Sequence, residues 1–313
     1  MIQIEAPLNV SHPKEVFAVK KKVGSVYRKH LAVCSILAAA TLWGVQGLFS
    51  RALGEMNIPG LPIMVVRNLG GAALLALVFL AADRTAFRVR LRELPLLALM
   101  GMSGVLGMNL VYYRSQQVSS LAVAAILLYT APTIVVVFSA LIWKDRITKR
   151  KLLALVLAFL GCGFVSGMLH GALSISTQGL LLGLGSALTY ASYTLFGRKA
   201  LTWRGPLTVL FYALLFAGLG ALVLCPAQEM AMLFTTSGAM TQTFCMMVFS
   251  TVVPFLLYTK GLAGLGDSGK AAILASLEPV VAALLGIVAF GEPLTLGVAL
   301  GLVCVLGAVA LLK

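Results

Sequence analysis

Long apolar stretches, each about the length of a membrane-spanning helix, follow one another along almost the whole sequence. Short polar connections separate them. A helix that crosses the hydrocarbon core of a bilayer needs about 20 apolar residues. The sequence therefore predicts an all-α polytopic membrane protein with ten transmembrane helices. The predicted spans cover residues 31–50, 61–82, 94–113, 121–143, 152–169, 179–199, 207–225, 238–258, 270–290 and 295–312.

The composition agrees with a membrane protein and argues against soluble classes. Hydrophobic residues make up 60% of the chain and charged residues only 11%, which is far from the average of soluble domains. A net charge of +14 would suggest nucleic acid as a partner of a soluble protein, but here the enrichment of Lys and Arg in cytoplasmic loops explains it. The five cysteines form no CxxC or Cys/His cluster, so we expect no disulfide framework, metal site or cofactor.

The distribution of basic residues predicts the orientation of the chain. With the N terminus in the cytoplasm, 21 of the 24 Lys and Arg residues fall on the cytoplasmic side, Arg51 and Arg114 fall outside, and Arg67 lies within a span. Both termini are therefore predicted to be cytoplasmic, in a multi-pass protein of the cell membrane. Residues 1–30 are predicted to be a basic cytoplasmic tail. A disordered segment is the expected form of this tail, and a surface-bound amphipathic helix is the alternative.

One pattern occurs twice in the chain. The sequence Ala-Ala-Ile-Leu occupies residues 124–127 and again 271–274, and a proline follows each copy at the same distance, at Pro132 and Pro279. The offset between the copies is 147 residues. The same offset matches Trp43 with Tyr190, Gln46 with Tyr193, Arg51 with Arg198, and Asp145 with Glu292.

The duplication predicts two five-helix repeats, residues 31–169 and residues 179–312. Because five is an odd number, the second repeat enters the membrane from the opposite side, so that the two copies are inverted. Inverted repeats with broken helices near the midplane are the architecture of many secondary transporters.

Glu278 is the acidic residue that the sequence places deepest within a span, about 12 Å from Lys270 at 1.5 Å per residue. A charged side chain in the bilayer costs about 2.5–3.5 kcal/mol, so Glu278 is expected to face the interior of the bundle. Pro279 follows it and leaves the carbonyl of Ala275 without its helical donor. Two interpretations are open. In the functional one, the carboxylate couples transport to a proton or cation, or binds a substrate amine. In the structural one, it is an acid bound to a neighbouring helix.

Arg67 is the basic residue within a span, about 9 Å from the outer end of the second helix. A substrate carboxylate is one candidate partner. Pairing with an acid or with helix carbonyls is a second interpretation, and extension of the side chain to the outer headgroups is a third.

Polar and aromatic side chains recur on one face of two matched spans. Tyr190, Tyr193 and Thr194 lie at helical spacing in the sixth span, and Trp43 and Gln46 occupy the equivalent face of the first. We expect these faces to line a pathway for an amphipathic small molecule, with hydrogen bonding between helices as the alternative. Weaker candidates for the same pathway are Asn109, Tyr129, Thr130 and Gln242.

Two short segments near the C terminus carry a likeness to a known family. They are Leu-Glu-Pro-Val at 277–280 and Gly-Glu-Pro-Leu at 291–294, and residues 129–132 and 143–147 repeat the pattern with Asp145 in place of the usual Glu. With these motifs the sequence resembles the drug/metabolite transporter superfamily, specifically its EamA type, over residues 31–312. The resemblance implies a ten-helix carrier with a central cavity lined by both repeats, which moves amino acids, sugars or other metabolites, often outward.

The sequence is therefore interpreted as a secondary transporter, in the export direction, of small metabolites such as amino acids or amphipathic compounds, working by alternating access. The expected partners are a small-molecule substrate, the lipid bilayer and a coupling proton or cation. A homodimer is left open, and nucleic acid is not expected. One alternative is a non-transporting membrane sensor or scaffold. Another is a membrane-embedded enzyme that uses Glu278, but the sequence offers no second acid, metal ligands or nucleophile–base pair for it, so no enzymatic activity is expected.

Overall fold

The computed structural model describes residues 13–82, 84–167 and 176–312, and within these ranges the chain is helical without strands. The described residues form ten long helical segments, α1–α10, and one short helix between α7 and α8, Ala227–Thr235. The bounds are α1 Pro13–Glu55, α2 Gly60–Ala82, α3 Leu91–Val118, α4 Ala122–Trp143, α5 Lys149–Val165, α6 Thr177–Ala200, α7 Pro206–Leu224, α8 Ala239–Leu265, α9 Ser268–Phe290 and α10 Leu296–Leu311.

Eight of these segments are long and apolar enough to cross a membrane. The other two, α5 and α10, have 17 and 16 residues, which is slightly short of the usual span. The prediction of an all-α polytopic membrane protein is therefore confirmed. The membrane crossing of α5 and α10, and the orientation of the termini, stay predictions.

The first helix begins earlier than the sequence predicted. α1 starts at Pro13, so residues 13–30 of the predicted tail are helical and continue into the first span. The expectation of a disordered segment is wrong for these residues, because a helix that has already nucleated gains one hydrogen bond for each residue it adds. Residues 1–12 of the tail lie outside the described residues.

α4 and α9 are both interrupted where the repeated prolines enter. The first part of α4 ends at Leu128 and the second begins at Ala131, while α9 stops at Ala275 and resumes at Glu278. Pro132 and Pro279 lie in the first turn after each break, where a residue without an N–H is tolerated. The two breaks are 147 residues apart, like the sequence motifs that produce them.

Other local features recur at the same offset. Lys144 and Gly291 end α4 and α9 with positive φ angles of 57° and 67°, a conformation that closes helix C termini. α3 and α8 each contain a π-helical turn, at Met102–Gly107 and Val248–Val252. Side-chain N-caps are matched as well, Ser120 with Asp267 and Thr148 with Thr295.

Helices of the first half pack mainly against helices of the second half. α1 contacts α8 and α9, while α6 contacts α3 and α4 in the matching arrangement. α2 packs on α7, and α5 packs on α10. The α5–α10 contact is close because both helices present glycine: a Cβ atom at Gly161 would lie 3.0 Å from the carbonyl oxygen of Gly301, and one at Gly301 would lie 2.7 Å from that of Gly161. Such close approach is typical of helix pairs in membranes.

The outer surface of the bundle is strongly apolar. Large side chains such as Leu77, Leu141, Val223, Val288 and Val303 are between 63% and 85% exposed. Exposed apolar area of this extent marks a surface that contacts lipid rather than water.

Candidate functional site

A cavity of about 70 Å³ lies between α1, α2, α3, α6, α8 and α9. Both halves of the chain contribute to its wall, and the wall carries one cation and one carboxylate. The lining residues are Trp43, Gln46, Met64, Arg67, Asn68, Gly104, Val105, Met108, Asn109, Tyr190, Tyr193, Thr194, Phe255, Tyr258 and Glu278.

Arg67 of α2 is held on this wall by two side chains from other helices. Its Nε atom donates to Thr251 Oγ1 at 2.8 Å, and Nη2 donates to Gln46 Oε1 at 3.3 Å. The residue is 8% exposed, so the interpretation that Arg67 extends to the headgroups is wrong. The guanidinium points inward because Thr251, in the π-helical turn of α8, supplies an acceptor there. No described carboxylate lies within ion-pair distance of Arg67.

Glu278 opens the second part of α9 and projects from the break onto the cavity wall. Its position in the first turn places the carboxylate at the positive end of the helix dipole. Within the described ranges no side chain or backbone group forms a hydrogen bond or ion pair with this carboxylate. The structural interpretation, an acid bound to a neighbouring helix, therefore finds no partner among the described residues.

Four aromatic rings form a continuous side of the cavity. Trp43 of α1 lies 5.1 Å from Phe255 and 5.3 Å from Tyr258, measured between ring centres, and Tyr193 of α6 lies 5.0 Å from Phe255. These edge and tilted geometries are the favourable ones for aromatic pairs. The rings join α1, α6 and α8 into one wall.

The tyrosine hydroxyls on this wall are paired across helices. Tyr193 shares a hydrogen bond of 2.9 Å with Thr259, and Tyr258 shares one of 2.8 Å with Thr194. Each pair joins α6 to α8 and satisfies a buried hydroxyl that would otherwise be costly. The hydroxyls therefore stabilise the wall, while the ring faces remain available to a solute.

Eight of the twelve residues predicted for the pathway line the cavity, and four do not. Pro279 is buried in the first turn after the break in α9. Thr130 donates to the carbonyl of Leu127 at 2.7 Å, so it satisfies the break in α4 instead. Tyr129 packs against a small apolar cluster that contains Cys162. Gln242 lies in the first turn of α8, away from the lining residues. The eight that line it are Trp43, Gln46, Arg67, Asn109, Tyr190, Tyr193, Thr194 and Glu278.

Sequence reasoning missed several lining residues. Phe255 and Tyr258 were overlooked because no matched aromatic lies 147 residues before them, at Met108 and Val111. The signal that could have found these two residues is their spacing of three positions, which places both rings on one face of α8. Asn68 was overlooked although it is a polar residue within a predicted span, while Met64 and Gly104 carry no signal that separates them from packing residues.

One end of the bundle carries a cluster of contacts around Arg198, at the end of α6. Its guanidinium donates two hydrogen bonds to Asp145, one of them from Nη2 to Oδ1 at 3.0 Å, and lies 4.5 Å from the ring centre of Trp143. Nη1 also reaches Ser268 at 3.4 Å, at the start of α9. This group of residues, the Arg198 cluster, joins α4, α6 and the beginning of α9.

A matching cluster lies at the other end of α9. The guanidinium of Arg51 is 4.0 Å from the ring centre of Phe290, and its Nη1 atom is 3.7 Å from Glu292 Oε1. Each member of this Arg51 cluster is 147 residues from its counterpart in the Arg198 cluster. The two ion pairs differ in their exposure to solvent. The side chains are 17% and 19% exposed in the Arg198 pair, but 50% and 56% in the Arg51 pair.

Two further ion pairs lie at the Arg198 end and also join the two halves of the chain. Lys151 Nζ contacts both carboxylate oxygens of Asp267, at 2.9 and 2.7 Å. Arg204 donates to Glu93 through Nε at 2.6 Å and Nη2 at 3.2 Å. In the part of the chain that the structure describes, three ion pairs therefore join the two halves at this end, and one loose pair joins them at the opposite end.

The described residues contain no group of three or more His, Cys, Asp or Glu side chains that could hold a metal ion. All five cysteines are free.

Known families and proteins resemble this chain over most of its length. The EamA-like transporter family matches residues 30–167 and again residues 177–313. An uncharacterized inner membrane transporter of Salmonella typhimurium, YicL, is 29% identical over 287 residues, which are 89% of this chain and 94% of that protein. The threonine/homoserine exporter RhtA of Escherichia coli is 29% identical over 276 residues, which are 87% of this chain and 88% of RhtA.

A protein of known crystal structure shares the fold, with a TM-score of 0.75 over 90% of this chain and 95% of that one, at 18% identity. This similarity concerns the fold alone. The family match, which covers both halves of the sequence, goes further. Together with the eight apolar helices, it shows that the chain belongs to the EamA-like transporter family and is a multi-pass membrane transporter rather than an enzyme.

Proposed function

We propose that this transporter is a secondary carrier that exports small zwitterionic metabolites of the amino-acid type by alternating access. The observation that carries the substrate class is the presence of Arg67 and Glu278 on the wall of one small cavity, without an ion pair between them. A zwitterion supplies the carboxylate that Arg67 lacks and the ammonium group that Glu278 lacks.

The hydrogen bonds of Arg67 suit a binding site that must be stable without substrate as well as with it. Thr251 holds Nε at 2.8 Å, while Gln46 occupies Nη2 at the longer distance of 3.3 Å. A substrate carboxylate can replace the neutral Gln46 oxygen, because charge-assisted hydrogen bonds are about twice as strong as neutral ones. Thr251 meanwhile keeps the guanidinium in position.

The size of the cavity favours a small substrate. The cavity volume of about 70 Å³ is well below the roughly 300–1,000 Å³ of pockets that hold drug-sized ligands, so a substrate the size of a small amino acid is favoured over a larger one. RhtA, a relative of similar length, is named as an exporter of threonine and homoserine.

The mechanism we propose relies on two inverted repeats, residues 31–169 and 179–312, in a ten-helix topology with cytoplasmic termini. The matched helix breaks, N-caps, π-helical turns and αL caps support the duplication. The positions of Asp145 and Glu292, near opposite ends of α9, support the inversion. Rocking of one repeat against the other around a fixed site is the usual motion of such carriers.

The two arginine clusters are the proposed gates of this motion. The Arg198 cluster closes the cytoplasmic end in the present conformation, and the Arg51 cluster closes the outer end when the repeats exchange roles. Three ion pairs between the halves at the cytoplasmic end, against one exposed pair outside, support a conformation that exchanges substrate with the outer side. Glu278 is the group at which a proton or cation would couple to the substrate.

Counterflow into proteoliposomes tests the proposal. Vesicles loaded with unlabelled threonine should accumulate labelled threonine. A compound added outside should compete well with labelled threonine only if it carries both a carboxylate and an amine. Threonine methyl ester lacks the carboxylate and 3-hydroxybutyrate lacks the amine, so both should compete at least about tenfold less well, since one lost charged hydrogen bond costs about 1.5–3 kcal/mol. A panel of small, large and basic amino acids defines the side-chain range. Failure of every amino acid to drive counterflow, in protein that is folded and monodisperse, would overturn the proposed substrate class.

A further inference from the structure

A second cavity, of about 440 Å³, lies outside the substrate site, at the end of the bundle that carries Arg204. It is bounded by the end of α2, the 3₁₀ turn Arg84–Phe87, the turn before α7, and Lys260 of α8. We call it the basic cleft, because three cationic side chains reach it. They are Arg88, Arg204 and Lys260.

The walls of the basic cleft are fixed by hydrogen bonds and ring contacts. Thr208 Oγ1 donates to the carbonyl of Ala86 at 3.2 Å, and the Tyr212 hydroxyl donates to that of Phe87 at 2.7 Å. The ring of Phe87 packs edge-on against Phe79 at 5.1 Å and Phe211 at 5.5 Å. The 3₁₀ turn is therefore anchored on α7, and the cleft is a defined shape.

The three cations differ in whether their charge is already balanced. Glu93 binds Arg204 through two hydrogen bonds, so that guanidinium belongs to the fold. Arg88 and Lys260 are exposed, and neither forms an ion pair with a carboxylate in the described ranges. Two positive charges without an ion pair among the described residues therefore face one cleft.

Apart from Thr85 and Thr208, the remaining side chains of the cleft are apolar, and several of them face the lipid side of the bundle. Val78 and Trp203 are each 42% exposed, and Pro206 and Leu207 complete this part of the wall. Leu77, beside Val78, is 63% exposed and belongs to the apolar outer surface. Tryptophan at such a boundary is typical of the membrane–water interface. A ligand that fills the cleft must therefore carry a negative headgroup and an apolar chain.

We propose that the basic cleft binds an anionic phospholipid, whose phosphate contacts Arg88 and Lys260 and whose acyl chain lies along Val78 and Leu207. Basic pockets between transmembrane helices are the usual sites for such headgroups. The lipid lies against α2 and α7, which come from different halves of the chain and pack on each other. Its binding therefore stabilises the contact between the halves.

Lipid binding to the full-length protein tests the site without any transport measurement. Protein purified in a mild detergent is titrated with phosphatidylglycerol or phosphatidylcholine, and bound lipid is counted by native mass spectrometry while the midpoint of thermal unfolding is recorded. The double variant Arg88→Gln/Lys260→Gln is compared with Arg146→Gln/Lys149→Gln. The control pair removes the same charge at the same end of the bundle, from exposed residues outside the cleft.

The wild-type protein and the control should bind phosphatidylglycerol in preference to phosphatidylcholine, and its addition should raise their unfolding midpoint. The cleft variant should lose this preference, with an affinity at least about tenfold lower, since each basic residue near an anionic lipid surface contributes about 1 kcal/mol. The conservative variant Arg88→Lys/Lys260→Arg should retain binding. Equal loss in the control pair, or equal stabilisation by millimolar inorganic phosphate, would overturn the assignment to a lipid.

Discussion

Arg198 and Asp145 form a two-bonded ion pair between the two halves of the chain, and its counterpart 147 residues away, Arg51 with Glu292, is open to solvent. The enclosed pair is the stronger one, because water screens charges less where the side chains are mostly buried. The two halves are therefore joined more firmly at one end of the bundle than at the other, although both ends carry matched residues. An asymmetry of this kind is expected of a carrier trapped in one of two related conformations.

The first prediction concerns the Arg198 cluster. Asp145→Asn should weaken the closed end by about 1 kcal/mol, which corresponds to about a fivefold shift in population. The measurement is the rate at which a maleimide labels Ser268→Cys, a position that is fully buried in the cluster, in a background without the native cysteines. The rate should rise about fivefold. Glu292→Gln, the matched change at the other end, should leave the rate unchanged or lower it.

The exchange of the two charges provides the rescue for this prediction. Asp145→Arg combined with Arg198→Asp restores an ion pair at the same place and should return the labelling rate toward that of the parent protein. An unchanged rate in Asp145→Asn would show that the Arg198 cluster does not hold the bundle closed.

The second prediction concerns the support of Arg67. Thr251→Val removes the acceptor of the 2.8 Å hydrogen bond to Nε and keeps the volume of the side chain. Substrate affinity should fall about tenfold, since a hydrogen bond to a charged group contributes about 1.5–3 kcal/mol. The effect should appear in KM rather than in the maximal rate, because the guanidinium remains but is less well positioned. Thr235→Val, on the short helix Ala227–Thr235, is the control, and an equal loss there would contradict a specific role for Thr251.

The third prediction concerns Glu278. Glu278→Gln should lower the affinity for zwitterionic substrates about 30-fold or more, because the loss of one member of a desolvated charge pair costs about 2–5 kcal/mol. It should also abolish any dependence of transport on a pH gradient, since the amide does not titrate. Glu229→Gln makes the same chemical change on the short helix outside the cavity and should transport normally. Full activity of Glu278→Gln would contradict both proposed roles of this carboxylate, binding of the substrate amine and coupling to a proton or cation.

The fourth prediction concerns the contact between α5 and α10. Gly161→Val places methyl groups against the carbonyl of Gly301, where a Cβ atom alone would already be at 3.0 Å. The substitution should destabilise the fold by about 1–3 kcal/mol, as overpacking usually does. The measurement is the thermal unfolding midpoint in detergent. Gly47→Val is the control, because no atom lies within 4 Å of a Cβ at that position.

The fifth prediction concerns the inverted topology. Arg146→Cys and Pro293→Cys introduce exposed thiols at positions 147 residues apart, one just beyond each broken helix. In intact cells a membrane-impermeant maleimide should label the thiol at position 293 and should reach position 146 only after the membrane is permeabilised. Labelling of both from the same side would contradict the inverted repeats and, with them, the proposed mechanism.

Much of the site could be predicted from the sequence, because a polar or charged group in a bilayer has a high free-energy cost. Glu278 and Arg67 stood out as charges in apolar spans, and the matched faces around Trp43 and Tyr190 followed from helical spacing. These signals are local, and all of them belong to residues that the structure places on the cavity wall.

The sequence did not predict correctly which polar residues line the cavity where a residue could equally form a hydrogen bond within its own helix. Thr130 and Asn109 both lie in apolar spans, and both donate to backbone carbonyls of their own helix, yet only Asn109 lines the cavity. The difference depends on which neighbours each helix meets. Tyr258 was missed for a related reason, since its role depends on Thr194 and Trp43, which are distant along the chain.

By itself the sequence determined that the chain is built of long apolar helices and that prolines stand where two of them are interrupted, because hydrophobic length and proline position act through the backbone and the bilayer, without tertiary contacts. Only the tertiary structure decided that Arg67 points inward to Thr251 and Gln46, that Glu278 has no hydrogen-bond or ion-pair partner among the described residues, and that Arg198 binds Asp145. These outcomes depend on the register at which α1, α6, α8 and α9 pack, and side chains far apart in sequence set that register together.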